Sequence, residues 1–366
     1  MDFALTPEQE ALRELAGKVL GDHVTHERLK RLEAGGDWFD RGTWDALAET
    51  KLLGTAIPEE HGGAGLGFLE LCLVLEQVGR TVAPIPAWAT LVLAAQPIAE
   101  VGTPAQRARW LPAVASGEAI LSAALVEAGS DDPARPATTA RRDGSGWRLD
   151  GTKTCVPVPH LAARLLVTAR DGADVALFLV DPQAAGVGID RQVATSREPQ
   201  GRVTFAGAPG EPLGRGAAPV AWLVDRAIAG LCAMQLGVTE RALRMTAEYT
   251  TKREQFGKPI ASFQAVHQRA ADAYIDVEAI RLTTWQAAWR LGAGRPASTE
   301  VAIAKFWASE AAHRVTYAAQ HLHGGIGVDV DYPLHRYYLW SKQIELTLGS
   351  QARQLARLGA ELAKGA

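Results

Sequence analysis

Residues 249–264 read YTTKREQFGKPIASFQ and run on to Ala271 and Asp272. Arg253 closes a long helical pattern at the end where a cation suits the helix dipole. Gly257 and Pro259 then break the period, which resumes at Ser262. Alone, an arginine in that place caps a helix or joins a surface ion pair. Here Gln255, Phe256, Lys258, Ile260, Phe263 and Gln264 accompany it. That combination in one turn is more than a helix cap requires.

On either side of this turn, apolar residues keep helical spacing over 223–253, 262–291, 298–323 and 337–362, which predicts four long helices packed as a bundle. Upstream, between 117 and 216, the character changes. Short apolar or alternating runs at 119–126, 146–149, 165–168, 175–180 and 202–205 are separated by Gly, Pro and Asp, and read as strands of a small sheet or barrel. The chain opens helically: Thr6 is placed as an N-cap, Pro7 as the first helical residue and Gln9 as the reciprocal member of a capping box. Further helices are expected over 38–51, 66–78 and 104–116, with a glycine-containing turn between the first two. The expected fold class is therefore α+β and mostly α: an N-terminal helical domain over 1–116, a middle β-domain over 117–216 and a C-terminal four-helix bundle over 217–366. The lack of βαβ alternation argues against a Rossmann fold.

Composition narrows the partners. The 366 residues are long enough for two or three domains, and 47% apolar with 22% charged residues is ordinary globular usage. A net charge of −3 argues against binding a phosphate backbone, so no nucleic-acid partner is expected. Cys72, Cys155 and Cys232 lie far apart without CxxC spacing, which points to reduced thiols and to no metal site. The start, with Asp2, Glu8 and Glu10, lacks the basic and apolar regions of a secretory signal. The most apolar stretch, 82–98, carries three prolines and is too short to span a bilayer. A soluble cytoplasmic protein is the expectation.

A second informative stretch, residues 321–350, reads HLHGGIGVDVDYPLHRYYLWSKQIELTLGS. By itself the run His323, Gly324, Gly325 and Gly327 is a helix-terminating turn. Together, the two stretches and the helix–sheet–helix order resemble the acyl-CoA dehydrogenases, flavoproteins of lipid metabolism, over essentially the whole chain. The resemblance implies FAD as cofactor and an acyl-CoA as substrate, with an electron-transfer flavoprotein as the family's electron acceptor. It implies that Arg253, Gln255 and Phe256 reach across a dimer interface to the adenosine and pyrophosphate end of a neighbouring subunit's FAD. The backbone of Gly324 and Gly325 would lie against that pyrophosphate, where a missing side chain permits close approach. His321 stands where the family often has Gln. In the middle region ALVEAGSDD, residues 124–132, resembles a shortened flavin-edge motif with Val126 in place of Thr, and Ser130 is its candidate phosphate contact. Where Trp-Ile-Thr usually touches the flavin, this chain has Cys155, Val156 and Pro157, and the proline has no backbone donor.

The resemblance also locates the catalytic base, and there the chain departs from it. Dehydrogenation needs a carboxylate at the substrate's α-carbon while a hydride leaves the β-carbon. Counting from Tyr332 and Pro333 places Leu348 in the position of the family's Glu, and the alternative position on the preceding long helix holds Ala227. Asp225, Glu240 and Glu345 are the carboxylates nearby in sequence, with Glu345 expected to face solvent. The losses gather on the isoalloxazine side of a site and the retained residues on the side lent to a neighbour. This split resembles the base-lacking subunit of the actinobacterial α2β2 dehydrogenases that degrade steroid and cholesterol side chains. A Glu-bearing homologous partner is the leading expectation. The alternatives are a self-sufficient homotetrameric dehydrogenase or oxidase with a displaced carboxylate, and a flavin-free protein that binds CoA esters.

Overall fold

Thr6 accepts a hydrogen bond from the backbone of Gln9 while the Gln9 side chain accepts from the backbone of Thr6, and this reciprocal cap starts the first helix, α1 (Pro7–His23). The computed structural model describes residues 3–364 apart from 37 and 131. Helices α2 (His26–Gly35), α3 (Arg41–Glu49) and α4 (Phe68–Thr81) follow. The apolar stretch that is too short for a bilayer winds into a buried π-helix, Trp88–Ala95, continued by α5 (Gln96–Val101); α6 (Pro104–Ala115) starts with a second capping box, from Thr103. A helix that is apolar all round belongs inside a core. Seven strands come next: β1 (Leu121–Ala124), β2 (Thr139–Asp143), β3 (Gly146–Pro157), β4 (Arg164–Asp171), β5 (Asp174–Val180), β6 (Val187–Val193) and β7 (Pro199–Arg215). The helical period then returns in α7 (Ala217–Lys252), a two-residue hairpin of β8 (Glu254–Gln255) and β9 (Lys258–Pro259), α8 (Gln264–Gly292), α9 (Ser298–His323), α10 (Leu334–Leu346) and α11 (Gln351–Lys364).

Contacts divide the chain into two compact units, each built from separated segments: one from residues 1–36, 72–83 and 228–366, the other from 37–71 and 84–227. In the first unit, α4 and α7 cross with their backbones in contact. A Cβ added at Gly237 would stand 1.9 Å from the Glu76 carbonyl oxygen, and one at Gly79 would stand 1.9 Å from that of Met234. Only glycine permits this approach. The apolar pattern over 337–362, expected as one helix, is two. Thr347 ends α10, and left-handed Leu348 (φ 56°) and Gly349 (φ 92°) turn the chain before α11.

In the second unit β4 pairs with β5, β5 with β7, β7 with β3, β3 with β2 and β2 back with β4, which closes a small barrel; β1 joins β4 in parallel and β6 lies on β7. Trp147, Leu149, Leu165, Val167, Phe178, Val203 and Phe205 fill its interior. One ion pair is buried beside it. Lys153 has no exposed surface, and its Nζ lies 2.9 Å from Glu127 and 3.0 Å from Thr168 Oγ1. Glu127 also accepts from the backbone of Ala137 and Thr138 and from the Thr138 hydroxyl. Burial alone would raise the Glu127 carboxyl pKa; the Lys153 and Thr138 donors outweigh it and hold the group at about 2. The carboxylate therefore contributes stability that is present above its ordinary value of 4.5 and is lost as the pH falls toward about 2. Replacing it leaves an uncompensated buried ammonium, so Glu127→Gln is expected to cost about 3–5 kcal/mol in urea denaturation at neutral pH. The deficit should shrink as the wild-type carboxylate is titrated in acid.

Candidate functional site

The end of α7 and the end of α9 are joined by aromatic rings. Tyr249 stacks on His323 with ring centroids 4.4 Å apart and planes 19° from parallel, and Tyr332 packs edge-on to Tyr249 at 6.4 Å. His323 is buried, and its two nitrogens are both engaged. Nδ1 donates to the Ala319 carbonyl at 2.8 Å, which leaves Nε2 as the acceptor for the Tyr332 hydroxyl at 3.2 Å. This cluster brings the Arg253 segment and the Gly324 segment into one local structure, because Arg253 continues from Tyr249 through an N–H bond to its carbonyl at 2.8 Å. A groove of about 420 Å³ lies there, and its lining includes Arg241, Glu248, Tyr249, Lys252, Arg253 and Tyr332.

Beyond Arg253 the β8–β9 hairpin turns through left-handed Phe256 (φ 53°) and Gly257 (φ 76°). Phe256 is 93% exposed, and its ring meets that of Phe263 edge-on at 6.1 Å. A large aromatic side chain presented this fully has a face free to pack on a planar partner. Gln255 is exposed beside it, its Nε2 donating to the Glu254 carbonyl at 2.6 Å. At the end of α9, Gly324 adopts φ 66°, and Cβ atoms added to Gly324 or Gly325 would meet nothing within 4 Å, so this backbone faces open space. The Gln320 carboxamide oxygen is buried without a hydrogen-bond partner among the described residues, 2.6 Å from where a Cβ on Gly327 would stand. His321, one residue on, is exposed, with Nδ1 2.5 Å from the Arg269 guanidinium. An exposed aromatic face, cations and an open glycine backbone fit a diphosphate joined to a planar base.

The position at which the sequence reading expects the base is apolar. Leu348 is 7% exposed, and its carbonyl accepts from Gln354 Nε2 at 3.1 Å. The end of α10 just before it is fixed by Lys305, fully buried on α9, whose Nζ donates to the Ile344 and Glu345 carbonyls at 2.5 and 3.1 Å. A cation at a helix C-terminus meets the orphan carbonyls there. Glu345, expected to face solvent, is instead buried at 7% exposure because its carboxylate folds back onto Lys342 at 2.6 Å. Glu240 is taken by Arg80 at 3.0 Å and Arg281 at 3.5 Å.

Ser130, Cys155, Asp225 and Ala227 belong to the second unit. Ser130 closes a tight turn with Glu127, each backbone N–H donating to the other's carbonyl, and its hydroxyl accepts from the backbone of Asp132 at 3.4 Å. The Glu127–Lys153 pair anchors that turn. Cys155 sits in a bulge of β3 against β7 with φ 52°, its N–H donating to Gln192 Oε1 at 3.3 Å; Val156 and Pro157 resume pairing with Gly201 and Gln200. Ala227 is fully buried, and its carbonyl accepts from the Trp88 indole at 2.9 Å. Sequence reasoning passed over Tyr249 and Tyr332 as functional positions, although both stand inside the two quoted motifs. It also missed Arg269 and Lys305, whose partners lie in other segments of the chain.

The fold and these motifs define an acyl-CoA dehydrogenase. Residues 6–118 match the family model for the acyl-CoA dehydrogenase N-terminal domain and residues 214–363 that for the C-terminal domain. The chain is 41% identical to acyl-CoA dehydrogenase FadE27 of Mycobacterium tuberculosis over 374 aligned positions, covering 100% of this chain and 99% of that protein. Among solved structures it superposes on a variant of the Tcur3481–Tcur3483 steroid ACAD with a TM-score of 0.93 at 47% identity, covering 98% of each chain. It also superposes on the ChsE4–ChsE5 complex of M. tuberculosis with a TM-score of 0.94 at 41% identity, covering 99% of each chain. The chain belongs to the acyl-CoA dehydrogenase family, oxidoreductases that act on the CH–CH bond of acyl-CoA thioesters.

Burial depresses the His323 pKa below its ordinary 6.5 and outweighs the Ala319 hydrogen bond, so the ring is neutral in the folded chain. Below that ordinary value the unfolded chain takes up a proton that the folded chain refuses, so stability falls as the pH drops from about 6.5. His323→Asn removes the titrating ring. In urea denaturation followed over pH 7.5 to 5, the wild-type midpoint should fall more steeply than the variant's.

Proposed function

We propose that this chain is the base-lacking subunit of a heteromeric, FAD-dependent acyl-CoA dehydrogenase, assembled as α2β2 with a homologous Glu-bearing subunit whose flavin site it completes. The observation that carries the reading is the contrast between two parts of the chain. Leu348, at the base position, is a buried aliphatic side chain, while the adenosine-side cradle keeps its cations, exposed aromatic and open glycine backbone.

Bound flavin would supply the hydride acceptor for the substrate's β-carbon. In this reading, Arg253 pairs with diphosphate oxygens, Phe256 covers the adenine, Gln255 and His321 add polar contacts, and the Gly324–Gly325 backbone approaches the pyrophosphate. Proton removal from the α-carbon falls to the partner, because no oxygen or nitrogen of Leu348's side chain exists to accept it. Two solved relatives bear names that pair two proteins, Tcur3481 with Tcur3483 and ChsE4 with ChsE5, and one is called a steroid ACAD. These names support a two-protein assembly and a steroid acyl-CoA as substrate. Apolar side chains exposed on α8 and α9, Tyr274, Ile275, Leu282 and Tyr317, supply surface suited to association.

Purified with its Glu-bearing partner, the Arg253→Ala chain is expected to lower the complex's flavin content by about tenfold at limiting FAD, the loss of one charge-assisted pair. Unchanged flavin content in that complex would remove the cross-subunit role. Glu345→Gln and Asp225→Asn in the same complex should leave flavin reduction by acyl-CoA intact; abolished reduction would instead point to a displaced base in this chain.

A further inference from the structure

The last turn of α9 carries two histidines whose hydrogen bonds are of opposite kind. His323 faces a carbonyl through Nδ1, and a carbonyl only accepts, so its proton is on Nδ1. His321 faces the guanidinium of Arg269 through Nδ1 at 2.5 Å. A guanidinium only donates and does not deprotonate in proteins, so Nδ1 of His321 is the acceptor and the ring's single proton is on Nε2. The partner of one ring nitrogen thereby sets what the other offers.

We propose that Arg269 is a positioning residue: it fixes His321 as the Nε2–H tautomer, so that His321 presents a hydrogen-bond donor to an oxygen of the partner-bound flavin's diphosphate. The inference rests on the cross-subunit reading above and adds to it the residue that orients the contact. Three observations support it. His321 is exposed, and its hydrogen bond to Arg269 uses Nδ1 and not Nε2. It stands three residues before Gly324, where the backbone faces open space. The guanidinium at Nδ1 adds positive charge to the ring, which strengthens an Nε2–H bond to an anionic oxygen. With Nδ1 already used, the free tautomer mixture of an exposed imidazole is replaced by the form that donates. The pair spans 52 residues of sequence, from the first half of α8 to the end of α9.

The test has two readouts. In the chain alone, with histidine labelled with ¹⁵N, long-range proton–nitrogen correlations report the tautomer of His321, assigned by its disappearance in His321→Gln. The Nε2–H pattern is expected in the wild type, and a shift toward the other tautomer or the charged form in Arg269→Ala. An Nδ1–H ring in the wild type overturns the proposal. In the complex purified with the Glu-bearing partner, Arg269→Ala is expected to weaken FAD binding about tenfold. It should have no further effect in the His321→Gln background, because a carboxamide offers its own donor without a guanidinium behind it. An equal loss in both backgrounds makes Arg269 merely structural and overturns the proposal. Arg253→Ala in the same assay separates the two levels: if it weakens FAD binding while Arg269→Ala does not, the cross-subunit reading stands and the positioning role falls. If neither variant weakens binding, the reading itself falls.

Discussion

The face-to-face contact of Tyr249 with His323 is the interaction on which the candidate site depends. It joins two helix ends that belong to different parts of the sequence, and Tyr332 closes the cluster from the loop after α9. Helix ends leave unsatisfied carbonyls and offer little packing area, so without this cluster the Arg253 hairpin and the Gly324 turn would each be a separate surface feature. The buried, neutral state of His323 fits the role. One nitrogen ties the ring to its own helix and the other to Tyr332, which leaves the ring face for Tyr249.

A different constraint acts at the turn that carries Leu348. Lys305 holds the last carbonyls of α10 from a fully buried place on α9, and burial pulls its pKa down to about 8. It still donates to two carbonyls, so the end of α10 is fixed in place. The turn carrying Leu348 and Gly349 therefore keeps a defined geometry although the side chain it presents is an alkyl group.

Much of this fold was legible in the sequence because its signals are local and strong. The capping box at Thr6, the helical period after Pro219 and the Gly-and-Asp-punctuated strands each act through neighbours in the chain. The missed elements lack those signals. Helix α2 is so charged that only Leu29 is buried, β2 is mostly exposed and polar, and in β6 only Val187 and Ile189 pack on the barrel core, as partly buried residues in an otherwise exposed strand. The break between α10 and α11 interrupts an apolar pattern that continues through it. It depends on left-handed backbone at a leucine, a conformation that sequence does not announce. For the site, the residue types at Arg253, Phe256 and Gly324 were readable. The Glu345 ion pair, the Arg269–His321 bond and the Lys305 anchor were not, because burial and long-range partners decide them.

The central claim is that this chain carries half of a flavin site and no complete one. The direct measurement is the flavin-to-chain ratio of the protein purified alone, by visible absorption after incubation with excess FAD and removal of the unbound cofactor. The account predicts a chain that retains essentially no flavin. Near-stoichiometric flavin would contradict it, since the chain would then build complete sites with copies of itself.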